Sequence, residues 1–418
     1  MHERTIIVVI TATIAVLLLL IAIMFFTSIF RRVYNKRRYQ KLDRLREVYG
    51  KRLREALASG SLRQIRDELI APPQSNTWQV IEDILLQVIN EEQHQAKIKE
   101  LFSGLGYITF HEKQLESRNV QARALSIDKL GKMKSEASSS KLIPLLDDED
   151  PEIVSVAVRS LTKIGGQACL QALVSRLPVL LGRSVAGKAM EIALLAFGPE
   201  AIPSLVDQKG GDDPWAVSCI LEVLSRLPSD PRSIRLAALH LTSQNAEVRS
   251  KALKVLGRPE SARTVRYMLK QVLPLLRDPV WYVRLQAIRS ARELGQGDAA
   301  AQIGELLFDK SWQVRNEAAQ ALIVIGEGSL DIFLGALAGA DKYAKDSVCE
   351  EIEKTDFAAR LMEHLKGPDQ GLEKKSQRIL ETMHFLGFST PFYEYLERGN
   401  DKTVKDRIRN IMKAGARA

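Results

Sequence analysis

The sequence predicts an all-α protein: a stacked array of helical hairpins, an α-solenoid, preceded by a single transmembrane helix. Three observations carry this expectation. Residues 6–30 contain no charged side chain. Residues 281–326 state one pattern twice, 31 residues apart. A small residue also recurs four places after an apolar or aromatic one, at steps of 30 to 35 residues from Val120 to Val314. Such periods mark arrays in which one unit hides the apolar face of the next.

Residues 1–5 form a short tail. Ile6 to Phe30 follows as twenty-five uncharged residues, roughly 37 Å of helix, enough to cross a hydrocarbon core of about 30 Å with some tilt. A cleaved signal peptide fits less well, because only Arg4 precedes the run and no small-x-small site precedes Arg31. A buried core helix of this length without charge is rarer still. Arg31, Arg32, Lys36, Arg37, Arg38 and Lys41 follow the run, whereas His2, Glu3 and Arg4 precede it. The positive-inside rule therefore puts the N-terminus outside and the body in the cytoplasm, at the inner (cytoplasmic) membrane. Three scattered cysteines, Cys169, Cys219 and Cys349, agree with a reducing compartment.

Net charge is +9, yet residues 31–66 alone hold thirteen Lys/Arg against Asp43, Glu47 and Glu55. Since Glu3 and Arg4 cancel, residues 67–418 sum to −1. A nearly neutral body with one basic collar argues against nucleic acid as partner, because duplex binding leans on many phosphate-neutralising side chains.

Residues 31–70 read as basic amphipathic juxtamembrane helices. Leu42, Leu45, Val48 or Tyr49, Leu53 and Leu57 share one side of the first. Two readings stand: a helix lying on the anionic inner leaflet, where each basic residue adds about 1 kcal/mol, or a stop-transfer flank leading into a solvated stalk. Gly60 closes this helix, Ser61-x-x-Gln64 opens a short one, and Ala71-Pro72-Pro73 stops it. Residues 71–113 form a helical N-terminal cap, with Asn76-x-x-Gln79 opening a helix from Trp78 to about Lys99.

Residues 114–415 are the array. Second helices are anchored at Val120, Ile153, Val185, Trp215, Val248, Val283 and Val314, each four before a small residue where helices cross closely. Gly131, Gly165, Gly198, Gly257, Gly295 and Gly326 stand where a left-handed C-cap glycine belongs. Beyond Gly326 the spacing loosens into helices at 341–353, 374–386 and 403–412, as in capping units.

The first helices end in Leu275-Leu276-Arg277-Asp278 and Leu306-Leu307-Phe308-Asp309, and the second open with Val283-Arg284-x-x-Ala287 and Val314-Arg315-x-x-Ala318. This pattern resembles the HEAT-repeat family, in particular its short HEAT-like repeats of the phycobilisome-lyase type, over roughly residues 100–415. The resemblance implies a right-handed solenoid whose second helices line a concave surface. It also implies a structural ladder of charge-assisted bonds between repeats, with Asp278, Arg284, Asp309 and Arg315 as members and Arg249 as the rung one unit earlier. The motif is specific for fold and almost silent on activity.

No catalytic, cofactor-binding or metal-binding constellation emerges. Gly182 to Ala189 nearly spells a phosphate-binding loop but ends in alanine, without a hydroxyl for Mg²⁺ and without a preceding strand. Gly295-x-Gly297-x-x-Ala300 likewise follows a helix. The six histidines form no ligand pair. Arg249, Lys251, Lys254, Arg258, Arg263, Arg266 and Lys270 make a locally basic run, read as a solvated helix face in preference to an anion site. Trp281 and Trp312 occupy equivalent places along one edge. They either pack between adjacent turns, the preferred reading, or offer a partner edge.

The expected function is therefore a non-catalytic, membrane-anchored scaffold. The bilayer is met through residues 6–30, the anionic leaflet through 31–66, and a protein partner or membrane complex through the solenoid. An envelope-polysaccharide or secretion machine is the kind of complex meant. The alternatives are a bilin-lyase-like enzyme or chromophore-binding HEAT protein, and a nucleic-acid-binding HEAT protein.

Overall fold

The computed structural model describes the backbone of residues 2–59, 66–183, 185–208, 213–258, 260, 266–295 and 297–415. Within helices, the side chains of residues 2–18, 31, 33–35, 37, 38, 59, 183, 414 and 415 lie outside the description. Among the described residues there is helix and turn but no strand. The chain divides into two compact units, Met1–Cys169 and Leu170–Ala418.

In the first unit, His2–Ser59 is one unbroken helix of 58 residues, about 87 Å at 1.5 Å per residue. Its apolar segment Leu19–Phe30 is exposed, with Met24, Phe26 and Phe30 among the barest side chains. Its other end is buried. Leu53, Ala56 and Leu57 join Trp78, Ile81, Leu85 and Phe102 in one core, and Leu42, Leu45 and Tyr49 pack against it. That placement corrects the picture of a helix lying flat on a leaflet: from Leu42 onward the apolar side is consumed by protein, and the basic side faces out. Arg46 pairs with Asp83 at 3.3 Å and Arg52 with Glu68 at 3.1 Å. Of the expected membrane-surface residues, Arg32, Lys36 and Lys41 are exposed, while the side chains of Arg31, Arg37 and Arg38 fall outside the description. Gly60 and the Ser61 to Gln64 box also fall outside it.

Ser75, not Asn76, caps the next helix, Asn76–Val88: its extended backbone lets Oγ accept the Trp78 N–H at 3.1 Å. This helix stops at Val88 instead of running to Lys99. A tight turn at Glu92–His94 separates it from Gln95–Gly104, and Tyr107–Gln114, Val120–Lys132 and Pro151–Ile164 follow.

The second unit carries second helices at Gly187–Leu195, Pro214–Leu224, Ala246–Leu256, Trp281–Gly295, Trp312–Ile325, Lys342–Glu353, Gln370–Phe385 and Lys402–Gly415. Ala246–Leu256 packs on Trp281–Gly295, which packs on Trp312–Ile325, which packs on Lys342–Glu353. Buried residues stand three and seven places beyond the capping residue: Val248 and Ala252 after Asn245, Val314 and Ala318 after Ser311, Ala344 and Val348 after Asp341, Val404 and Ile408 after Asp401. The frame thus persists to the end of the array. It also moves two anchors. Ala216, not Trp215, is the buried one after Asp213, and Gly187–Leu195 opens two residues past Val185, leaving Ala189 exposed and burying Met190 and Ala193.

Trp312–Ala338 is apolar and long enough to cross a membrane by composition, but it is two helices meeting at Gly326 and half buried among its neighbours, as a core segment is. The glycines divide by cause. Gly165 and Gly326 end helices at φ +75° and +85° with ψ −161° and −134°, a region open to glycine but distinct from the left-handed helical cap that the spacing predicts. Gly131 and Gly257 do not; a Cβ there would lie 2.6 Å from Ser160 Cβ and 2.5 Å from Ser290 Oγ, so they mark close approach of consecutive second helices.

Candidate functional site

A groove of about 820 Å³ opens in the second unit across the first turns of four successive second helices, from Gly187–Leu195 to Trp281–Gly295. Capping fixes its rim. Asp213 accepts the N–H groups of Trp215 and Ala216 at 3.4 and 3.1 Å, and Asn245 accepts those of Glu247 and Val248. Trp215, pushed off the core by that register, is 73% exposed at the groove. Tyr282 and Val185 add aromatic and apolar wall; Glu191, Asp213, Glu247 and Lys251 supply charge.

Glu222, outside the lining itself, holds the lining residue Lys251. Its side chain is 4% exposed and meets Lys254 at 2.7 Å, Arg226 at 2.8 Å and Lys251 at 3.1 Å. Burial alone would raise its carboxyl, but hydrogen bonds from Lys254 and Lys251 outweigh it and hold the group at about 2. Cys219, on the groove wall, is pushed up to about 12 by burial beside Glu191 and Glu222. A thiol that stays protonated at neutral pH is a poor nucleophile. No group of three or more His, Cys, Asp or Glu among the described residues is placed to hold a metal ion. The arrangement sets an exposed aromatic side chain beside paired charges, which suits binding.

The near phosphate-binding loop forms part of this wall through Gly182, Val185, Ala186 and Gly187, while Ser184 is outside the described residues. Lys188 is turned onto Glu191 at 3.0 Å. Much of the basic run is paired in the same manner, while Arg266 and Lys270 at its end stay exposed, as on a solvated face. Arg249 goes to Asp278, Lys251 and Lys254 to Glu222, Arg258 to the Leu227 carbonyl and Glu260, and Arg266 to Asp298. Arg263 is outside the described residues.

The ladder residues are brought together across repeats, not within them. Arg249 donates from Nε and Nη2 to Asp278 at 2.7 and 2.9 Å, and from Nη1 to the Ser243 and Gln244 carbonyls. Arg284 does the same with Asp309, and its Nη1 meets the Asp278 and Pro279 carbonyls. Asp278 and Asp309 also receive the N–H of Val280 and Ser311, so each carboxylate shapes its own turn while holding the preceding repeat. Arg315 reaches only the Asp309 and Lys310 carbonyls and lies over the Tyr343 ring at 5.3 Å. In the first unit Arg123 and Asp148 make a rung that sequence reading did not single out, at 2.7 Å. Trp281 and Trp312 are 42% and 61% exposed, and Trp281 meets the Tyr282 ring edge-on at 5.8 Å.

Sequence reasoning missed the buried carboxylates Glu222 and Glu82, as it did Glu317 and Glu351. His111 Nε2 lies 2.6 Å from Glu82 Oε1, its Nδ1 lies 3.2 Å from Ser126 Oγ, and Lys129 reaches Glu82 Oε2 at 2.8 Å. Ser126, His111 and Glu82 have the order of a hydrolase triad but are all enclosed, so they tie the cap helix to the first repeat. Glu222 and Glu82 carried a legible signal: one acid inside a helix otherwise apolar on that face must find a partner or not be buried.

A family profile for HEAT repeats matches residues 110–191, 233–322 and 269–353. HEAT repeats are therefore present in both units. Among solved structures, a Kap121p mutant is similar at 12% identity with a TM-score of 0.46, covering 84% of this chain and 49% of that one. Kap121p itself is similar at 13% identity and a TM-score of 0.36, covering 81% and 49%. The chain spans about half the length of these structures. No curated protein matches it.

Proposed function

We propose that this chain, an all-helical HEAT-repeat protein whose fold suits a protein-interaction scaffold, is a non-catalytic scaffold anchored in a membrane and binding a protein partner. The groove carries the reading. Four successive helices surround a concavity that presents an exposed tryptophan beside paired charges, and aromatic side chains in such concavities dominate binding energies. The anchor is supported by Leu19–Phe30, a bare apolar face on a helix whose other end is embedded in the first core. The excess of Lys and Arg just after that segment supports a cytoplasmic body at an inner membrane. Confinement near one surface raises effective concentration without any added contact, which suits a partner that is itself a membrane complex.

The test is site-specific photo-crosslinking in native membranes, with the crosslinker at position 215 and again at a control position remote from the groove. A discrete crosslinked protein at 215, absent at the control, supports the scaffold. A signal equal at both positions rejects it. Reporter fusions at the C-terminus read out on the outer side would reject the orientation.

A further inference from the structure

We propose that Arg315 is an open rung which takes a side-chain carboxylate from a protein partner. Arg249 and Arg284 both offer their in-plane Nε–Nη2 edge to an aspartate of the next repeat, at 2.7 and 2.9 Å and at 2.7 Å twice. Both use Nη1 on two turn carbonyls. Arg315 uses Nη1 likewise, on Asp309 at 2.9 Å and Lys310 at 3.4 Å. Its Nε is enclosed and makes no hydrogen bond.

The missing acceptor has an address. Asp278 and Asp309 each end a first helix, and each donates its N–H to the carbonyl three residues back, Leu275 and Leu306. Gly339 does the same with Ala336. Its backbone, at φ −66° and ψ 176°, lies in the extended region with Asp278 at −58° and 142° and Asp309 at −63° and 149°. So the next repeat keeps the turn and lacks only the side chain. A Cβ at Gly339 would meet backbone oxygens of Ala336 and Gly335 at 3.3 and 3.6 Å, and no side chain within 4 Å fills the vacant place.

Enclosed charged donors are normally paired, and a planar guanidinium edge matches a two-oxygen carboxylate. Tyr343 covers a face of the guanidinium, not its edge. Tyr343, 67% exposed, offers surface beside the guanidinium to a polypeptide rather than to a small ion. The protein origin of the carboxylate rests on the scaffold reading; the vacancy itself does not.

The test follows arginine Nε–H signals by NMR in the full chain labelled with ¹⁵N and held in detergent. The probes are acetate, a short aspartate-containing peptide and its asparagine counterpart. The Arg315 signal is the one lost in Arg315→Lys. If that variant does not fold, it is the one displaced in Gly339→Asp, which supplies the carboxylate from within the chain. The expected result is a saturable shift with the aspartate peptide, on the order of tenfold weaker with asparagine, and no response in Gly339→Asp. An unmoved signal, equal response to both peptides, or an undiminished response in Gly339→Asp overturns the open rung. A response to acetate with the peptide silent overturns the protein source. Position-215 crosslinks that persist when Arg315 is silent leave the scaffold standing and remove the rung alone.

Discussion

Arg284 holds Asp309 of the following repeat by two parallel hydrogen bonds, Nε to Oδ2 and Nη2 to Oδ1, both 2.7 Å. The pair is largely enclosed, with side-chain exposures of 14% and 7%. Lysine keeps the charge but loses the fork. Arg284→Lys is expected to destabilise the second unit by about 1–2 kcal/mol, read as a fall in thermal midpoint. Asp309→Ala is expected to cost more, because it strips the Arg284 edge of its acceptor and the Ser311 N–H of its cap. Equal midpoints for wild type and Arg284→Lys would show the ladder to be ornamental.

Glu222 makes stability depend on acid. Its folded-state carboxyl lies at about 2 against an ordinary 4.5. A depressed carboxyl contributes stability that is fully present above 4.5 and lost as pH falls toward 2. Near-ultraviolet circular dichroism of the wild type is expected to lose signal over that window. Glu222→Gln should lie below wild type by about 2–3 kcal/mol at neutral pH, somewhat under the usual cost of breaking a buried pair because the three cations are partly solvated. The variant should also show a flatter acid profile; an unchanged profile would mean that Glu222 does not set it.

Gly257 and Ser290 touch where consecutive helices approach most closely. Gly257→Ala places a methyl 2.5 Å from Ser290 Oγ and 2.7 Å from its Cα, so overpacking of about 1–3 kcal/mol is expected. Adding Ser290→Gly should recover part of that loss. Urea titration of the single and double variants gives the comparison, and a fully tolerated Gly257→Ala would refute the close approach.

Trp215 should separate binding from folding. At 73% exposure it supports little of the core, so Trp215→Ala is expected to shift stability by no more than about 0.5 kcal/mol. Partner crosslinking from neighbouring groove positions should fall sharply in the same variant. A large drop in thermal midpoint would place this tryptophan in the core instead.

Much of the fold was legible because periodicity is written in residues that must be buried. Val283 with Ala287 and Val314 with Ala318 fixed two units outright, since a helix register follows from its buried face. Trp215 misled by one place because a large aromatic side chain resembles an anchor, while the actual marker was its capping Asp213. Aspartate or asparagine caps at 119, 150, 213, 245, 341, 369 and 401 would have traced the array to its end, where apolar spacing faded. The groove was not legible. Its walls come from four helices far apart in sequence, and charge partners such as Lys254 and Glu222 meet only through packing. The ladder was half legible: the residue types were apparent, but which repeat each arginine grips depends on stacking geometry.

On the proposed anchoring, the burial of Leu53 and Leu57 at the far end of the His2–Ser59 helix turns an address into a lever. A floppy leash lets its load wander in every direction, whereas a rod rooted in the load permits no swivel. Between Phe30 and Leu53 the rise is about 34 Å. Each residue removed there lowers the first unit by about 1.5 Å and turns it by roughly 100°. Trimming seven residues, close to two whole turns, would keep its bearing and change only its height. Trimming two would swing it nearly to the opposite compass point.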